Sequence, residues 1–154
     1  MREYQGKTAV ITGASSGIGV EFANRFAERG ANLVLVARRK DRLDAVAKEI
    51  QGKQKVKVDV VVADLSEVGS AEKLFKTLQR KKIQIDVLVN NAGFGTMGEF
   101  KNHDLNRITE EIQLNVATLV QLTRLALPGM IQRNNGVVVN IASTAAYQPV
   151  PYMA

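Results

Sequence analysis

Thr12-Gly13-Ala14-Ser15-Ser16-Gly17-Ile18-Gly19 is the stretch that decides how this chain folds. Before it, Lys7 to Thr12 reads as a short apolar strand. After it, Ile18, Phe22 and Phe26, with Ala23 and Ala27, recur at helical spacing until Gly30. A strand that turns through glycines into a helix brings backbone amides and the positive end of the helix dipole to one point. Glycine there admits positive φ and close approach of an anion, while Ser15 and Ser16 add hydroxyl donors at small volume. Gly13, Ser15, Ser16, Gly17, Ile18 and Gly19 are therefore candidate contacts for a diphosphate. The bland reading of the same residues is a tight turn that holds nothing. A P-loop is excluded, because Gly6-Lys7-Thr8 precedes the strand and lacks the upstream glycine.

Working outward, short apolar segments alternate with helix-period segments along the whole chain, which predicts βαβ units around a parallel sheet. Strands are expected at Asn32–Ala37, Lys55–Val62, Ile85–Asn90 and Gly136–Ile141. Helices are expected at Asp41–Ile50, with Gly52 as C-cap, after Ser66, and from Asp104 to Ile131, loosened near Pro128. The helix after Ser66 would turn Val68, Ala71, Leu74, Phe75 and Leu78 inward. The fold class is α/β: a Rossmann-type doubly wound sheet in strand order 3-2-1-4-5, one domain over residues 1–154, truncated after the fifth strand. Strand five would then be a partly uncovered edge.

At the end of strand two, about twenty residues past the turn, an acidic residue would accept the ribose hydroxyls of NAD, whereas arginine suits the 2′-phosphate of NADP. The sequence reads Val36-Ala37-Arg38-Arg39-Lys40, so a bidentate phosphate contact by Arg38, helped by Arg39, is expected. Two arginines bordering a solvated loop are the alternative. Asp64 and Leu65 follow strand three at the same sheet edge, where Asp64 could accept from an adenine amino group or cap the next helix.

Composition narrows the classes. The 154 residues are 45% hydrophobic and 23% charged, enough for one core. No unbroken apolar run approaches the roughly 18 residues of a membrane span, and no secretory segment precedes the first strand, so a cytoplasmic protein without membrane contact is expected. The absence of cysteine excludes disulfides and thiolate metal sites, and no metal is expected. A net charge of +6 invites a nucleic-acid partner, but the cations are dispersed: Lys53, Lys55 and Lys57 alternate along the chain, and Arg80 to Lys82 end a helix. A solvated surface is the simpler account, and a positive field also favours an anionic cofactor.

At Asn90-Asn91-Ala92-Gly93, directly after strand four, the chain comes to resemble the short-chain dehydrogenase/reductase family in its shorter, non-extended branch. That motif, the glycine turn and Asp64 follow the family's order across the whole chain. The resemblance implies that Asn91, Ala92 and Gly93 lie along the cofactor ribose and that Thr12 ties the first turn to that loop. Asn115 lies on an apolar stripe with Leu105, Ile108, Ile112, Leu119, Leu122 and Ala126, so its amide needs partners. The resemblance makes it the proton-relay asparagine; an amide satisfied by neighbouring backbone is the alternative. Ser143, at the end of strand five, occupies the place of the family's active-site serine, and a serine capping its own turn is the alternative.

The family's Tyr-x-x-x-Lys pair has no counterpart here. Tyr147 and Tyr152 fall too early and no lysine follows either, so the pair is expected just beyond Ala154. Both tyrosines are expected at the substrate mouth or in plain packing. His103 reads as a surface residue at a helix start. The resemblance implies an NADP(H)-dependent oxidoreductase, NAD(H) being the second choice, that interconverts an alcohol and a ketone or aldehyde. As given, the chain is expected to be inactive; a non-catalytic dinucleotide-binding module is the alternative. Expected partners are a small carbonyl or alcohol and further copies of the chain in a homo-oligomer, not nucleic acid.

Overall fold

Valine, isoleucine and leucine fill the strands because a parallel sheet is covered on both faces. The computed structural model describes residues 3–153; Met1, Arg2 and Ala154, the ends of the expected domain, lie outside the described residues. Strands β1 (Thr8–Thr12), β2 (Asn32–Ala37), β3 (Val58–Val62), β4 (Val87–Asn90) and β5 (Val137–Asn140) pair in parallel in the order β3-β2-β1-β4-β5, as expected. Helices α1 (Ile18–Glu28), α2 (Lys40–Lys53), α3 (Ser70–Arg80), α4 (Leu105–Ile112) and α5 (Leu119–Gln132) connect them, with a π-helical turn, Gln113–Thr118, joining α4 to α5.

Side chains alternate across the sheet with the strand period. Ala9, Ile11, Leu33, Leu35, Val87 and Val89 meet Ala23 and Ala27 of α1 and Leu43, Ala47 and Ile50 of α2. Val10, Val34, Val36 and Leu88 point the other way, to Ala71, Leu74 and Leu78 of α3 and Leu122, Ala126 and Met130 of α5. The chain runs outward from β1 to β3, then returns to β4 on the other side of β1. The crevice at the carboxyl ends of β1 and β4 is where sheets of this kind bind ligands. β5 is a partly uncovered edge: Val137 is exposed, while Val138 and Val139 are half-buried against the two cores.

Local expectations are corrected at several points. Ile18 is 60% exposed and shares no buried face with Ala23 and Ala27, because it opens the helix at the mouth of the crevice. Gly52 lies inside the last turn of α2, and extended Gln54 ends that helix. Ser66 caps no helix: the chain turns through left-handed Gly69, α3 starts at Ser70, and Val68 is 82% exposed. Helix continues through Pro128 to Gln132. The irregularity comes at the π turn, whose extra residue rotates the apolar stripe by roughly 100°. Leu105 and Ile112 are consequently exposed, while Leu122 and Ala126 are buried.

The 28-residue helical stretch Leu105–Gln132 is long and apolar enough, by length and composition, to cross a bilayer. No unbroken apolar run marks it; the helix reaches this length by continuing through the π turn. In this fold Leu122, Ala126 and Met130 pack it onto the sheet.

Candidate functional site

Thr12 ends β1 as a nearly fully buried hydroxyl. It donates to the Val89 carbonyl (3.2 Å) and accepts from the amides of Asn91 and Ala92 (3.0 Å each). Asn91 returns the contact, its Nδ2 donating to the Thr12 carbonyl at 2.9 Å and to that of Gly13 at 3.4 Å. The glycine turn is thus stitched to the exit of β4. A Cβ on Gly13 would sit 2.8 Å from Asn91 Nδ2 and 2.9 Å from Ala92 Cα, in a backbone of φ 67°. Gly17, at φ 58° and ψ −136°, precedes α1, and no side chain caps its first amides.

That uncapped helix start opens into a cavity of about 320 Å³. It is lined by the turn, by Arg38 and Arg39, by Asp64 and Leu65, and by Asn91 to Phe94. Arg39 Nη2 donates to Ser15 Oγ and Ser16 Oγ at 3.0 Å each, so its guanidinium bridges the turn. Arg38 lies 3.6 Å from Asp64 instead. Asp64 Oδ1 accepts from Ser66 N–H (3.0 Å) and Ser66 Oγ (2.6 Å), closing its own turn and capping no helix. Partial burial raises the tendency of Asp64 to hold a proton, but the two Ser66 bonds and the Arg38 charge outweigh it and keep the carboxyl below its ordinary value. Uncapped amides, two hydroxyls and two guanidiniums around one cleft suit an elongated phosphate-bearing ligand.

Of the residues expected at the site, Gly13, Ser15, Ser16, Ile18, Arg38, Arg39, Asp64, Leu65, Asn91, Ala92 and Gly93 line this one cavity. Gly17 borders it as the helix N-cap. Gly19 lies behind it, where a Cβ would collide with the Gly13 carbonyl, so its smallness serves packing. Asn115 sits in the π turn one layer back, and its amide pairs twice with Phe94: Oδ1 accepts from the backbone N–H (3.2 Å) and Nδ2 donates to the carbonyl (2.7 Å). Backbone satisfaction, the simpler of its two expected roles, is therefore present. Ser143 stands on the same sheet edge beyond β5, and its Oγ accepts from Ala145 N–H at 3.1 Å as a turn cap.

Tyr147 is 91% exposed and Tyr152 is also exposed, so neither is a packing residue. His103 is half-buried, its Nε2 enclosed beside Gly98 without a hydrogen-bond partner among the described residues, and Asp104 is the residue that caps α4. Sequence reasoning quoted Asn90 in the motif but gave it no role; its buried amide donates to Thr123 Oγ1 (3.0 Å) and Asn140 Oδ1 (2.9 Å). It passed over Thr118 and Ser70, whose hydroxyls both donate to the Leu65 carbonyl, at 2.8 and 3.2 Å. Only a polar residue inside an apolar helix stripe could have signalled Thr118.

A family model described as short chain dehydrogenase matches residues 7–154. The chain is 40% identical over 152 residues to very-long-chain 3-oxoacyl-CoA reductase-A of Danio rerio, covering 96% of this chain and 47% of that protein. It is 33% identical over 158 residues to inactive hydroxysteroid dehydrogenase-like protein 1 of Homo sapiens, covering 100% of this chain and 47% of the relative. The L-sorbose reductase of Gluconobacter frateurii, solved with NADPH and L-sorbose, matches with a TM-score of 0.90 at 37% identity, over 97% of this chain and 57% of its own. The chain spans about half the length of the curated relatives it matches.

Proposed function

The chain belongs to the short chain dehydrogenase family, and from that premise we propose that it forms the nucleotide-binding part of an NADP(H)-dependent oxidoreductase. The reaction is the interconversion of an alcohol and a ketone or aldehyde. One observation carries the cofactor choice: β2 is followed directly by two arginines in place of an acidic residue, with Arg39 spanning Ser15 and Ser16.

The amides at the start of α1 would hold the diphosphate, Arg38 and Arg39 the 2′-phosphate, Asp64 the adenine amino group, and Asn91 to Gly93 the ribose. When bound, the dinucleotide would be the source or acceptor of the hydride. Ser143 would orient and polarise the substrate oxygen, and Asn115 would support the proton relay. The proton donor, a tyrosine lowered by a neighbouring lysine, would come from chain beyond Ala154. Calorimetric titration with NADPH and NADH tests the binding half of this reading, with NADPH expected to bind more tightly. Equal affinity removes the arginine argument.

A second reading, a dinucleotide-binding module without turnover, is favoured by Ser143, whose oxygen is engaged by its own turn at Ala145. A chain extended with a Tyr-x-x-x-Lys segment distinguishes the two. Turnover that Ser143→Ala abolishes supports the enzyme, and binding without turnover supports the module.

A further inference from the structure

Arg107 and Glu111 of α4, with Asn115 in the π turn, stand at four-residue spacing, and all three reach the same loop, residues 93–97. The Arg107 guanidinium lies 3.6 Å from the centroid of the Phe94 ring. Asn115 pairs with both backbone groups of Phe94. Between them, Thr96 Oγ1 donates to Glu111 Oε2 at 2.5 Å. The functional reading uses Asn115 and leaves the Thr96 contact without a role.

A hydroxyl bound to a carboxylate is a charge-assisted bond, roughly twice as strong as a neutral one. Both partners are half-buried, which weakens competition from water. Among the described residues no salt bridge engages Glu111, so its carboxylate is directed at the loop and not at a cation. Gly93 lies close against the π turn: a Cβ there would sit 3.0 Å from Asn115 Oδ1. The loop follows β4 without a helix or strand of its own; its far end is held by the Met97–Met153 bridge and by Gly98 N–H on the Tyr152 carbonyl (2.7 Å), and these side chains hold the part between.

Gly93 and Phe94 form the end of the cavity over β4, opposite Arg38, Arg39 and Asp64 at the ends of β2 and β3. A dinucleotide whose extra phosphate sits at the arginines would cross β1 and place its second half against Gly93 and Phe94. Resting on the dinucleotide reading above, we propose that Glu111 is a positioning residue. Through Thr96 it fixes the loop after β4 and so sets affinity for the nicotinamide half of the cofactor, leaving the half that carries the extra phosphate untouched.

The test compares two ligands on this chain. NADPH occupies both halves, whereas adenosine 2′,5′-bisphosphate occupies only the phosphate-bearing half. Glu111→Ala and Thr96→Val are each expected to weaken NADPH about tenfold, the scale of one charge-assisted hydrogen bond, with the bisphosphate changed less than about twofold. The double variant should be no weaker than either single one, because both remove the same contact. Thr96→Ser, which keeps the hydroxyl, should restore binding. Amide hydrogen exchange should quicken at 94–97 and stay unchanged in α1. Thr96 is a loop residue, so its two variants decide the matter even where Glu111→Ala does not fold. Parallel loss of both ligands, additive effects in the double variant, or an unchanged NADPH affinity overturns the assignment. A wild-type chain that binds neither ligand overturns the dinucleotide reading as well.

Discussion

Gly19 of α1 and Asn91 after β4 approach so closely that a Cβ on the glycine would lie 2.7 Å from the asparagine Nδ2. The amide cannot move aside freely, because the same Nδ2 donates to the Thr12 carbonyl at 2.9 Å. The helix opening and the β4 exit are therefore one packed unit, and glycine at 19 is a requirement of that packing. Gly19→Ala is expected to cost about 1–3 kcal/mol, the usual penalty of overpacking a tight site. Thermal unfolding should show a drop of several degrees, and an unchanged midpoint would mean that the turn and the loop are not locked together.

Thr12 carries the same junction from the other side, since its hydroxyl serves two amides and one carbonyl at 2% exposure. Thr12→Val keeps the shape and removes all three bonds, leaving the Asn91 and Ala92 amides without that acceptor. About 1–3 kcal/mol of stability should be lost for each buried group left unsatisfied. Thr12→Ser should recover most of it. Denaturant midpoints for the three proteins decide this, and equal loss in the serine variant would shift the explanation from the hydroxyl to the methyl group.

The sheet and the phosphate cleft were legible because strands buried on both faces are written as valine-rich runs, and because glycines at a strand-to-helix turn answer a local steric demand. Ser66 and Gly52 misled for a common reason: capping depends on where the chain goes next, which local spacing does not encode. At Gly52 the helix simply runs on, and at Ser66 the hydroxyl finds Asp64 first. The apolar stripe through Leu105 and Ile112 failed because a 3.6-residue period was carried across a π turn. The Thr96 contact with Glu111 joins a loop to a helix 15 residues on, and no periodicity marks such a pair.

Asp64 gives a pH dependence whose sign follows from its lowered pKa. Its ordinary value is 3.8 and the folded value lies below it, so the group stabilises the fold fully above 3.8 and loses that contribution as pH falls through the folded value. The gap in unfolding midpoint between wild type and Asp64→Asn should accordingly be widest near neutrality and shrink below pH 3.8. Its partner Arg38 is 63% exposed, so solvent screening keeps the ion-pair share small and Ser66→Ala should reproduce much of the effect. A gap that stays constant from pH 7 to 2 would exclude ionisation of Asp64 as its source.

Arg38 and Arg39 differ in what already holds them, and that difference separates their expected effects on cofactor choice. Arg38 faces Asp64, which offsets part of its charge, whereas among the described residues Arg39 donates to neutral hydroxyls of the turn and pairs with no carboxylate. The uncompensated guanidinium attracts a dianionic phosphate more strongly. Arg39→Ala should therefore weaken NADPH about tenfold or more, the scale of lost charge-assisted hydrogen bonds, while NADH changes little. Arg38→Ala should weaken NADPH by less. Arg38→Asp places a carboxylate at the end of β2, where it repels the 2′-phosphate and accepts ribose hydroxyls, and should reverse the preference toward NADH. Calorimetry with both cofactors on all three variants reads the result. If NADH and NADPH weaken together in Arg39→Ala, that guanidinium acts on the shared diphosphate, and the basis for preferring the phosphorylated cofactor moves to Arg38 alone.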